Sequence, residues 1–343
     1  MALKTEDFEK RLLLAINGKT KPVGSLGRIE TLAAQIARIQ GTLKPKIESC
    51  SLSIFAGDHG IAAAGVSAFP QAVTRQMVLN FLEGGAAANV FAQVVGANIR
   101  VVDSGIAGAP IDHPQLIGRR MAAGTKNSIE TPAMTADELD RAVKAGHALG
   151  AETEAHVACF GEMGIGNTSA AALVAAKVMG RPIVDLAGRG TGLDDAGFDR
   201  KSALLKRAAD RSPQRLDAST ALMEYGGFEI AMMTGAMIGA AEARRVVVVD
   251  GFIASAAALC AQELSPSVEK CFVFAHRSAE SGHRKILEVF GVYPLLDLDM
   301  RLGEGTGALL AFPLIKAAAA MLSDMASFES ANVSGAVATD MDQ

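Results

Sequence analysis

Short apolar runs rich in Val, Ile, Leu and Phe recur along the chain, separated by long segments rich in Ala, Leu and Met. The runs show little strict alternation of polar and apolar residues, which is typical of strands buried on both faces of a sheet. The predicted strands are CSLSIFAG (50–57), NIRVVDSG (98–105), HVACFG (156–161), VVVVDG (246–251), CFVFAHRS (271–278) and PLLDLD (294–299). Strands alternating with helices predict an α/β fold, with helices on both faces of a mostly parallel open sheet.

Two of the intervening segments have a clear helical pattern. Residues 29–40 place four apolar side chains on one face, as in an amphipathic helix. Residues 227–245 are apolar nearly all round, so we predict a buried helix there. Gly235 and Gly239, four residues apart in this helix, predict close packing against a neighbouring helix rather than a membrane dimer motif.

The two ends of the chain show helical patterns and no strand. We therefore predict a small helical domain made of residues 1–45 and 308–343, beside a large α/β domain of residues 46–307. The sequence contains neither a low-complexity linker nor an internal repeat that would mark the boundary more sharply.

Composition excludes several classes of protein. With 343 residues, half of them hydrophobic, the chain can bury a large core. The net charge of −4, two Tyr and no Trp argue against a nucleic-acid partner. Four cysteines, at 50, 159, 260 and 271, are spaced for neither a zinc site nor a disulfide framework. The charged N-terminus and the lack of an unbroken apolar span predict a cytoplasmic protein with no membrane partner.

The segments that follow the predicted strands are rich in Gly and polar residues. They read GDHG (57–60), DSG (103–105), GEMGIGNTS (161–169), DGF (250–252), HRS (276–278) and DMRLGEGTG (299–307). Turns after strands favour such residues for structural reasons alone. However, ligands of open α/β sheets bind at the carboxyl ends of the strands, and six such turns in a row predict a binding site there.

The segment GEMGIGNTS is the most informative of these turns. Its glycines allow sharp bends, and Asn167, Thr168 and Ser169 can cap a helix that begins at the following AAALVAAK. Free N–H groups at a helix start favour an anion, most often phosphate, although an ordinary capped turn remains an alternative. The segment has no Walker lysine and no GxGxxG spacing, so a dinucleotide site finds little support.

Neither of the possible metal motifs is complete. Asp58 and His59 in GDHG are metal-ligand types, but matching ligands at other strand ends are lacking. We therefore expect both residues to order their loop. Asp297 and Asp299 lie two apart on a predicted strand, and a cap or an ion pair is the favoured role for them. The sequence predicts no metal site and no cofactor.

Two carboxylates, Glu162 and Glu304, are each flanked by glycine directly after a predicted strand. An acid enclosed in this way is partly desolvated, which raises its proton affinity and suits it to act as a general base. A solvated turn acid is the alternative for either residue taken singly. Glycine neighbours also let a flat ring approach closely, which favours a binding site for the pair.

Seven segments in chain order resemble the nicotinate-nucleotide–dimethylbenzimidazole phosphoribosyltransferase family, whose members act in cobalamin assembly. They are KPVGSLGRIE (21–30), FAGDHGIAAAGVSAFPQAVT (55–74), GEMGIGNTSAAA (161–172), GRGTGLDD (188–195), VVVDGFIASAAAL (247–259), AHRSAESGH (275–283) and LLDLDMRLGEGTGAL (295–309). The resemblance covers nearly the whole chain. It implies a cytoplasmic homodimer with a large, Rossmann-like parallel α/β domain and a small helical domain formed from both termini.

The resemblance also implies a reaction and its residues. Nicotinate mononucleotide would give its phosphoribosyl group to 5,6-dimethylbenzimidazole, releasing nicotinate and α-ribazole 5′-phosphate with inversion, without a cofactor. Glu304 would be the general base, with Glu162, Met163 and Leu302 around the aromatic base. The nucleotide, chiefly its phosphate and ribose, would be held by Gly164, Ile165, Gly166, Asn167, Thr168, Gly190, Lys201 and Ser278.

One departure from the family pattern leaves the acceptor open. Phe69 and Met77 stand where some relatives carry polar residues of the base pocket. Adenine, other benzimidazoles or phenols are therefore alternative acceptors. A non-catalytic nucleotide-binding protein of the same fold is a further alternative, which the presence of both Glu162 and Glu304 disfavours. An NAD-dependent oxidoreductase would need a dinucleotide fingerprint that this sequence lacks.

Overall fold

The computed structural model describes residues 2–190 and 192–334, with side chains from residue 6 onward. The chain divides into two compact units: Met1–Glu48 with Pro313–Gln343, as far as these are described, and Ser49–Phe312. The sequence-based division placed the same boundaries at 45/46 and 307/308. Residues 335–343 of the predicted small domain lie outside the described residues.

The larger unit is built on one sheet of six parallel strands in the order β3-β2-β1-β4-β5-β6. The strands are β1 (Cys50–Gly57), β2 (Asn98–Gly105), β3 (Leu116–Gly118), β4 (Val157–Met163), β5 (Val246–Val249) and β6 (Phe272–Phe274). In chain order, β1, β2 and β3 run from the middle of the sheet to one edge, and β4, β5 and β6 run from the middle to the other edge. Because crossovers are right-handed, the helices of the two halves lie on opposite faces. The predicted α/β class with a parallel sheet is confirmed.

Two details of the strand prediction are wrong. Residues 294–299 form no strand, and only Leu296 makes an isolated bridge, to His276. Asp299 adopts a left-handed conformation (φ 53°), which ends the extended segment before a ladder can form. The short edge strand β3 was missed, because a strand of only three residues gives too little pattern to detect.

Twelve α-helices are present among the described residues. They are α1 (Ala2–Asn17), α2 (Arg28–Gln40), α3 (Ala72–Leu82), α4 (Ala87–Val95), α5 (Ala136–Ala151), α6 (Asn167–Met179), α7 (Asp195–Ala209), α8 (Ala218–Tyr225), α9 (Phe228–Glu242), α10 (Phe252–Leu264), α11 (His283–Phe290) and α12 (Thr306–Asp324). Helices α2 and α9 confirm the two helical segments predicted from periodicity, at nearly the predicted bounds.

Helix α9 lies in the core of the larger unit, and nearly all its residues are buried. A Cβ atom on Gly235 would overlap the carbonyl oxygen of Val143, and one on Gly239 would overlap that of His147. Both carbonyls belong to α5, so the two helix backbones touch. The close packing predicted from these two glycines is confirmed.

The smaller unit combines α1, α2 and the C-terminal part of α12. Its apolar faces bury Leu12 on α1 and Ile36 on α2. The Lys19 side chain donates a hydrogen bond to the carbonyl of Met325 (2.6 Å), which ties the N-terminal segment to the C-terminal one. Segments from both ends of the chain therefore form one packed unit.

Two helical stretches, Ala72–Val95 and Thr306–Asp324, have the length and composition of a membrane span. The first is divided into α3 and α4 at residues 83–86. In the second, 61% of the most apolar window is buried inside the protein, as in a core helix. Length and composition alone are therefore weak evidence for a membrane location here.

Candidate active site

A cavity of about 630 Å³ lies at the carboxyl ends of β4, β5 and β6. Phe69, Val73 and Met77, from α3 and the turn before it, form an apolar wall. Buried carboxylates lie at the carboxyl ends of the strands, and Lys201 lies behind the start of α6. The cavity therefore has an apolar end with acidic groups and a second end with cationic groups.

Glu304 lies in a turn in which three successive residues are left-handed: Gly303 (φ 86°), Glu304 (φ 61°) and Gly305 (φ 79°). This conformation costs a non-glycine residue roughly 1–2 kcal/mol, so the carboxylate is held there at the expense of stability. The side chain is 5% exposed, and its Oε2 has no hydrogen-bond partner among the described residues. Burial raises the pKa of Glu304, although an N–H bond from Ala88 opposes the shift.

The left-handed turn is seated directly on the sheet. A Cβ on Gly161, in β4, would overlap the carbonyl carbon of Glu304 and lie 2.6 Å from the nitrogen of Gly305. Only glycine at position 161 permits this approach. On the other side, Asp250, which follows β5, accepts a hydrogen bond from the N–H of Ala308 (2.7 Å) at the start of α12. The position of the Glu304 carboxylate is thus fixed by two strands.

Glu162 is the second carboxylate of the acidic end, and it is also buried. Its Oε2 accepts a hydrogen bond from the side-chain amide of Asn167. Burial, followed by the charges of Glu229, Asp250 and Glu304, raises the pKa of Glu162 well above its usual range. Glu162 and Glu304 therefore form a pair of buried carboxyl groups whose proton affinities are both raised.

The cationic end is organised around the start of α6. Lys201 on α7 is buried, and its Nζ donates a hydrogen bond to Oγ1 of Thr168 (3.2 Å). Burial lowers the pKa of Lys201 to about 8. The Arg301 guanidinium donates to the carbonyl oxygen of Gly190 (3.2 Å). Ser278 lines the same end of the cavity. A buried ammonium with so few partners suits the binding of an anion.

The chain is similar over most of its length to known enzymes. The sequence model of a family described as "Phosphoribosyltransferase" matches residues 2–333. The chain belongs to this family. It is 52% identical over 322 residues to the nicotinate-nucleotide–dimethylbenzimidazole phosphoribosyltransferase of Aromatoleum aromaticum, covering 93% of each chain. It is 49% identical over 340 residues to the protein of that name from Dechloromonas aromatica, covering 97% of this chain and 98% of the other.

A solved structure shows the same fold. The crystal structure of CobT from Thermus thermophilus matches with a TM-score of 0.92 at 42% identity, covering 96% of this chain and 99% of that one. The protein is thus an enzyme of the glycosyltransferase type, a phosphoribosyltransferase. The family resemblance noted in the sequence is confirmed.

In this phosphoribosyltransferase the cavity brings together most of the residues singled out from the sequence. The lining includes Glu162, Met163, Gly164, Ile165, Asn167, Thr168, Gly190, Ser278, Leu302 and Glu304. Two others lie behind the lining. Gly166 precedes α6 in a left-handed conformation (φ 99°), and Lys201 reaches the cavity wall through Thr168. The binding and catalytic roles of all these residues remain predictions.

Three details of the phosphoribosyltransferase site differ from those predicted from the sequence. Helix α6 begins at Asn167, three residues before AAALVAAK, so residues 167–169 form its first turn and Gly166 is the N-cap. The side chain of Asn167 is thereby free to reach Glu162. Glu162 lies within β4 rather than after it, because the strand continues to Met163. Glu304 follows an irregular segment and not a strand.

The polar residues of the GDHG turn order the backbone, as expected. Asp58 accepts a hydrogen bond from the N–H of Ala107 (2.8 Å). His59 Nε2 lies 2.7 Å from Oε1 of Glu229, and both side chains are buried. Asp297 forms an ion pair with Arg277 (2.6 Å), also as expected. The described residues contain no group of three or more His, Cys, Asp or Glu suited to a metal ion.

Sequence reasoning missed four polar residues that line the cavity: Asp250, His276, Glu280 and Arg301. Asp250 and His276 stand in the turns DGF and HRS, which were marked as binding segments, so the signal was their position after a strand. Arg301 likewise stands in the marked segment DMRLGEGTG, whereas Glu280 lies outside every segment that was marked after a strand. No spacing in the sequence indicates that Glu280 folds back into the cavity.

Proposed function

We propose that this enzyme transfers the phosphoribosyl group of nicotinate mononucleotide to 5,6-dimethylbenzimidazole, yielding α-ribazole 5′-phosphate and nicotinate. In this reaction Glu304 is the general base. The observation that carries the proposal is a buried carboxylate with a free oxygen at the apolar end of a cavity whose other end is cationic. The names of the relatives support the choice of substrates.

The two substrates fill the two ends of the cavity. Its volume of about 630 Å³ lies within the range of about 300–1,000 Å³ found for small-molecule sites. The acceptor ring lies between Met163 and Leu302, against the apolar wall of Phe69, Val73 and Met77. The nucleotide phosphate lies at the start of α6, where the positive end of the helix dipole, Thr168 and Lys201 favour an anion. The remaining nucleotide-binding residues named from the sequence surround this position.

The proton balance explains why a carboxylate suffices as the base. One acceptor nitrogen attacks C1′ of the ribose, and the neutral nicotinate ring leaves from the opposite side. The acceptor ring becomes cationic in this step, so the N–H on its second nitrogen becomes strongly acidic. Glu304 accepts that proton. Glu162, Asp250 and Glu304 also stabilise the positive charge that develops at C1′. A single displacement with inversion needs no covalent intermediate.

We propose further that the enzyme acts in the cytoplasm as a homodimer. Apolar side chains on α3 and α4 support a partner surface, since Leu79, Val90 and Val94 are 40%, 50% and 79% exposed. Sedimentation at micromolar concentration checks the assembly, and a monomer there would contradict it.

The deciding experiment measures nicotinate release from nicotinate mononucleotide with and without dimethylbenzimidazole. We expect release to depend on the added base, and Glu304→Gln to lower kcat by about 10²-fold or more because the proton acceptor is lost. Glu288→Gln serves as a matched control, since Glu288 is a glutamate on α11 that pairs with Arg284 and Lys285 at the surface. A fully active Glu304→Gln enzyme would refute the assignment of Glu304 as the general base.

The same assay separates the two alternatives. Release supported by adenine or a phenol, and not by dimethylbenzimidazole, would keep the transferase and change the acceptor. Binding of the nucleotide without release in the presence of any aromatic base would leave a nucleotide-binding protein.

A further inference from the structure

The cationic end of the cavity contains a carboxylate that the proposed reaction does not use. Glu280 lines the cavity together with Thr168, Gly190, Ser278 and Arg301, and its side chain is buried. A site that binds phosphate gains from positive charge, and a fixed negative charge there weakens binding. The presence of Glu280 at this position therefore requires an explanation.

Glu280 is held firmly in place. Its N–H donates a hydrogen bond to Oγ of Ser278 (3.3 Å), and its carbonyl accepts one from the N–H of His283 (3.0 Å). The carboxylate lies against the backbone of Gly188, where a Cβ would overlap Oε2, and it accepts a hydrogen bond from the N–H of Gly190. The acid cannot swing away without disturbing the loop that forms the phosphate end.

The charged groups around Glu280 come from several elements. Lys201 on α7 and Arg301 both attract the carboxylate. His283 at the start of α11 is neutral, because burial lowers its pKa to about 3. Arg189, in the neighbouring loop, is engaged by Asp195. Two cations and one carboxylate thus share the site.

We propose that Glu280 is the resident counter-ion of the phosphate site and that it takes up one proton from solvent when the nucleotide phosphate binds. The protonated carboxyl group then donates a hydrogen bond to a phosphate oxygen, where the carboxylate would repel it. The inference rests on the proposed function and deepens it, because it describes how the same site accepts its phosphate-bearing substrate.

Charge balance supports the uptake of a proton. Lys201, Arg301 and an ionised Glu280 sum to a charge of +1, and a bound phosphate dianion would change this to −1 in a buried site. One added proton restores neutrality, which a low-dielectric site favours. Burial already raises the pKa of Glu280, although the charges of Lys201 and Arg301 oppose the shift. A nearby dianion raises it further.

The proposal predicts a specific pH window. Nucleotide phosphate is a dianion above pH of about 6, and Lys201 remains protonated below its pKa of about 8. Between these limits Lys201 and Arg301 stay charged and His283 stays neutral, so among these groups around Glu280 it is Glu280 whose protonation changes on binding. Affinity should therefore fall as pH rises through this window, by up to about tenfold per pH unit for one proton.

The test is calorimetric titration with nicotinate mononucleotide, in buffers of different ionisation enthalpy. At pH 7 we expect wild type to take up about half a proton or more per nucleotide, and its Kd to rise about 3- to 10-fold from pH 6.5 to 7.5. Glu280→Gln, which mimics the neutral acid, should take up about 0.2 proton or less and bind at least as tightly as wild type at pH 7.5. Glu288→Gln should keep the wild-type slope.

Two results would overturn the proposal: the same proton uptake in wild type and Glu280→Gln, or weaker binding by Glu280→Gln at pH 7.5. If the variant does not fold, the proton count and the pH slope of wild type decide alone. The measurement is independent of turnover. Proton-linked binding without nicotinate release would refute the transferase reaction and leave the role of Glu280, whereas an active enzyme that binds without proton uptake would refute only that role.

Discussion

The carboxylates at the acidic end of the cavity and the ammonium of Lys201 at the cationic end are all buried, yet burial shifts their pKa values in opposite directions. At the acidic end burial raises the pKa of Glu162 and Glu304, and at the cationic end it lowers the pKa of Lys201 to about 8. Desolvation disfavours the charged form of every group. The comparison shows that one cavity can hold carboxylates that are stronger bases than usual and an ammonium that loses its proton more readily than a surface lysine, with burial as the largest cause at both ends.

The two ends also differ in how they are constructed. Glu304 is carried by a left-handed turn pressed onto β4 through Gly161, so backbone atoms determine its position. At the cationic end, Lys201 and Arg301 reach their hydrogen-bond partners with long side chains from separate elements. We therefore expect the acidic end to tolerate change less well.

The largest effect is expected from Gly161→Ala. The added methyl group would overlap the carbonyl carbon of Glu304 and force the turn off the sheet. A displacement of about 1 Å at a reacting group can cost about 10²-fold in rate, so we expect kcat to fall by about that factor. Steady-state measurement of nicotinate release checks this.

Gly118→Ala is the matched control for this substitution. Gly118 also lies in a parallel strand, but a Cβ there meets no atom within 4 Å. Its kcat should stay within about twofold of wild type, as is usual for a surface substitution without a mechanism. Equal losses in both variants would show that the close contact between Gly161 and the turn of Glu304 does not position this carboxylate.

A smaller effect, confined to binding, is expected from Lys201→Met. Loss of the ammonium should raise KM for nicotinate mononucleotide about 10- to 30-fold, the lower part of the range of a charged hydrogen bond, and change kcat less. Lys206→Met is the control, since Lys206 lies on the same helix and pairs with Asp210 at the surface. An unchanged KM would show that Lys201 does not bind the phosphate.

The pH dependence of KM in the wild type also tests whether the charge of Lys201 binds the nucleotide. Because the pKa of Lys201 is lowered to about 8, its charged form is present below that pH and is lost above it. KM for the nucleotide should therefore rise above pH of about 8, and Lys201→Met should lack this rise. Initial rates measured across this pH range for both enzymes provide the check.

The smallest effect is expected at the apolar wall. Met77→Gln should reduce the preference for dimethylbenzimidazole over unsubstituted benzimidazole about fourfold, because one methyl group buried on an apolar surface is worth about 0.8 kcal/mol. Competition between the two acceptors in one reaction measures the ratio, which a general loss of activity does not change. An unaltered ratio would show that the methyl groups of dimethylbenzimidazole do not lie against Met77.

The sequence predicted the parts of the molecule that depend on local pattern. Buried strands and the helices α2 and α9 follow from runs of apolar residues, and the glycine-rich turns after strands marked the cavity. Glu280 escaped detection, because its place in the cavity depends on the tertiary folding of an irregular segment. The length of β4 was also underestimated, since Glu162 is an acidic residue within a strand and its burial is decided by neighbouring elements.

The residues that bind the acceptor and the residue that accepts the proton lie on different elements, which has a consequence for how this enzyme can evolve. The acceptor wall is carried by α3 and the turn before it, whereas the proton acceptor is carried by the turn before α12 and anchored by β4 and β5. Substitutions at Phe69 or Met77 can therefore alter which aromatic ring is accepted without moving the carboxylate at position 304. A lineage can explore new acceptors one residue at a time while the transfer chemistry stays intact.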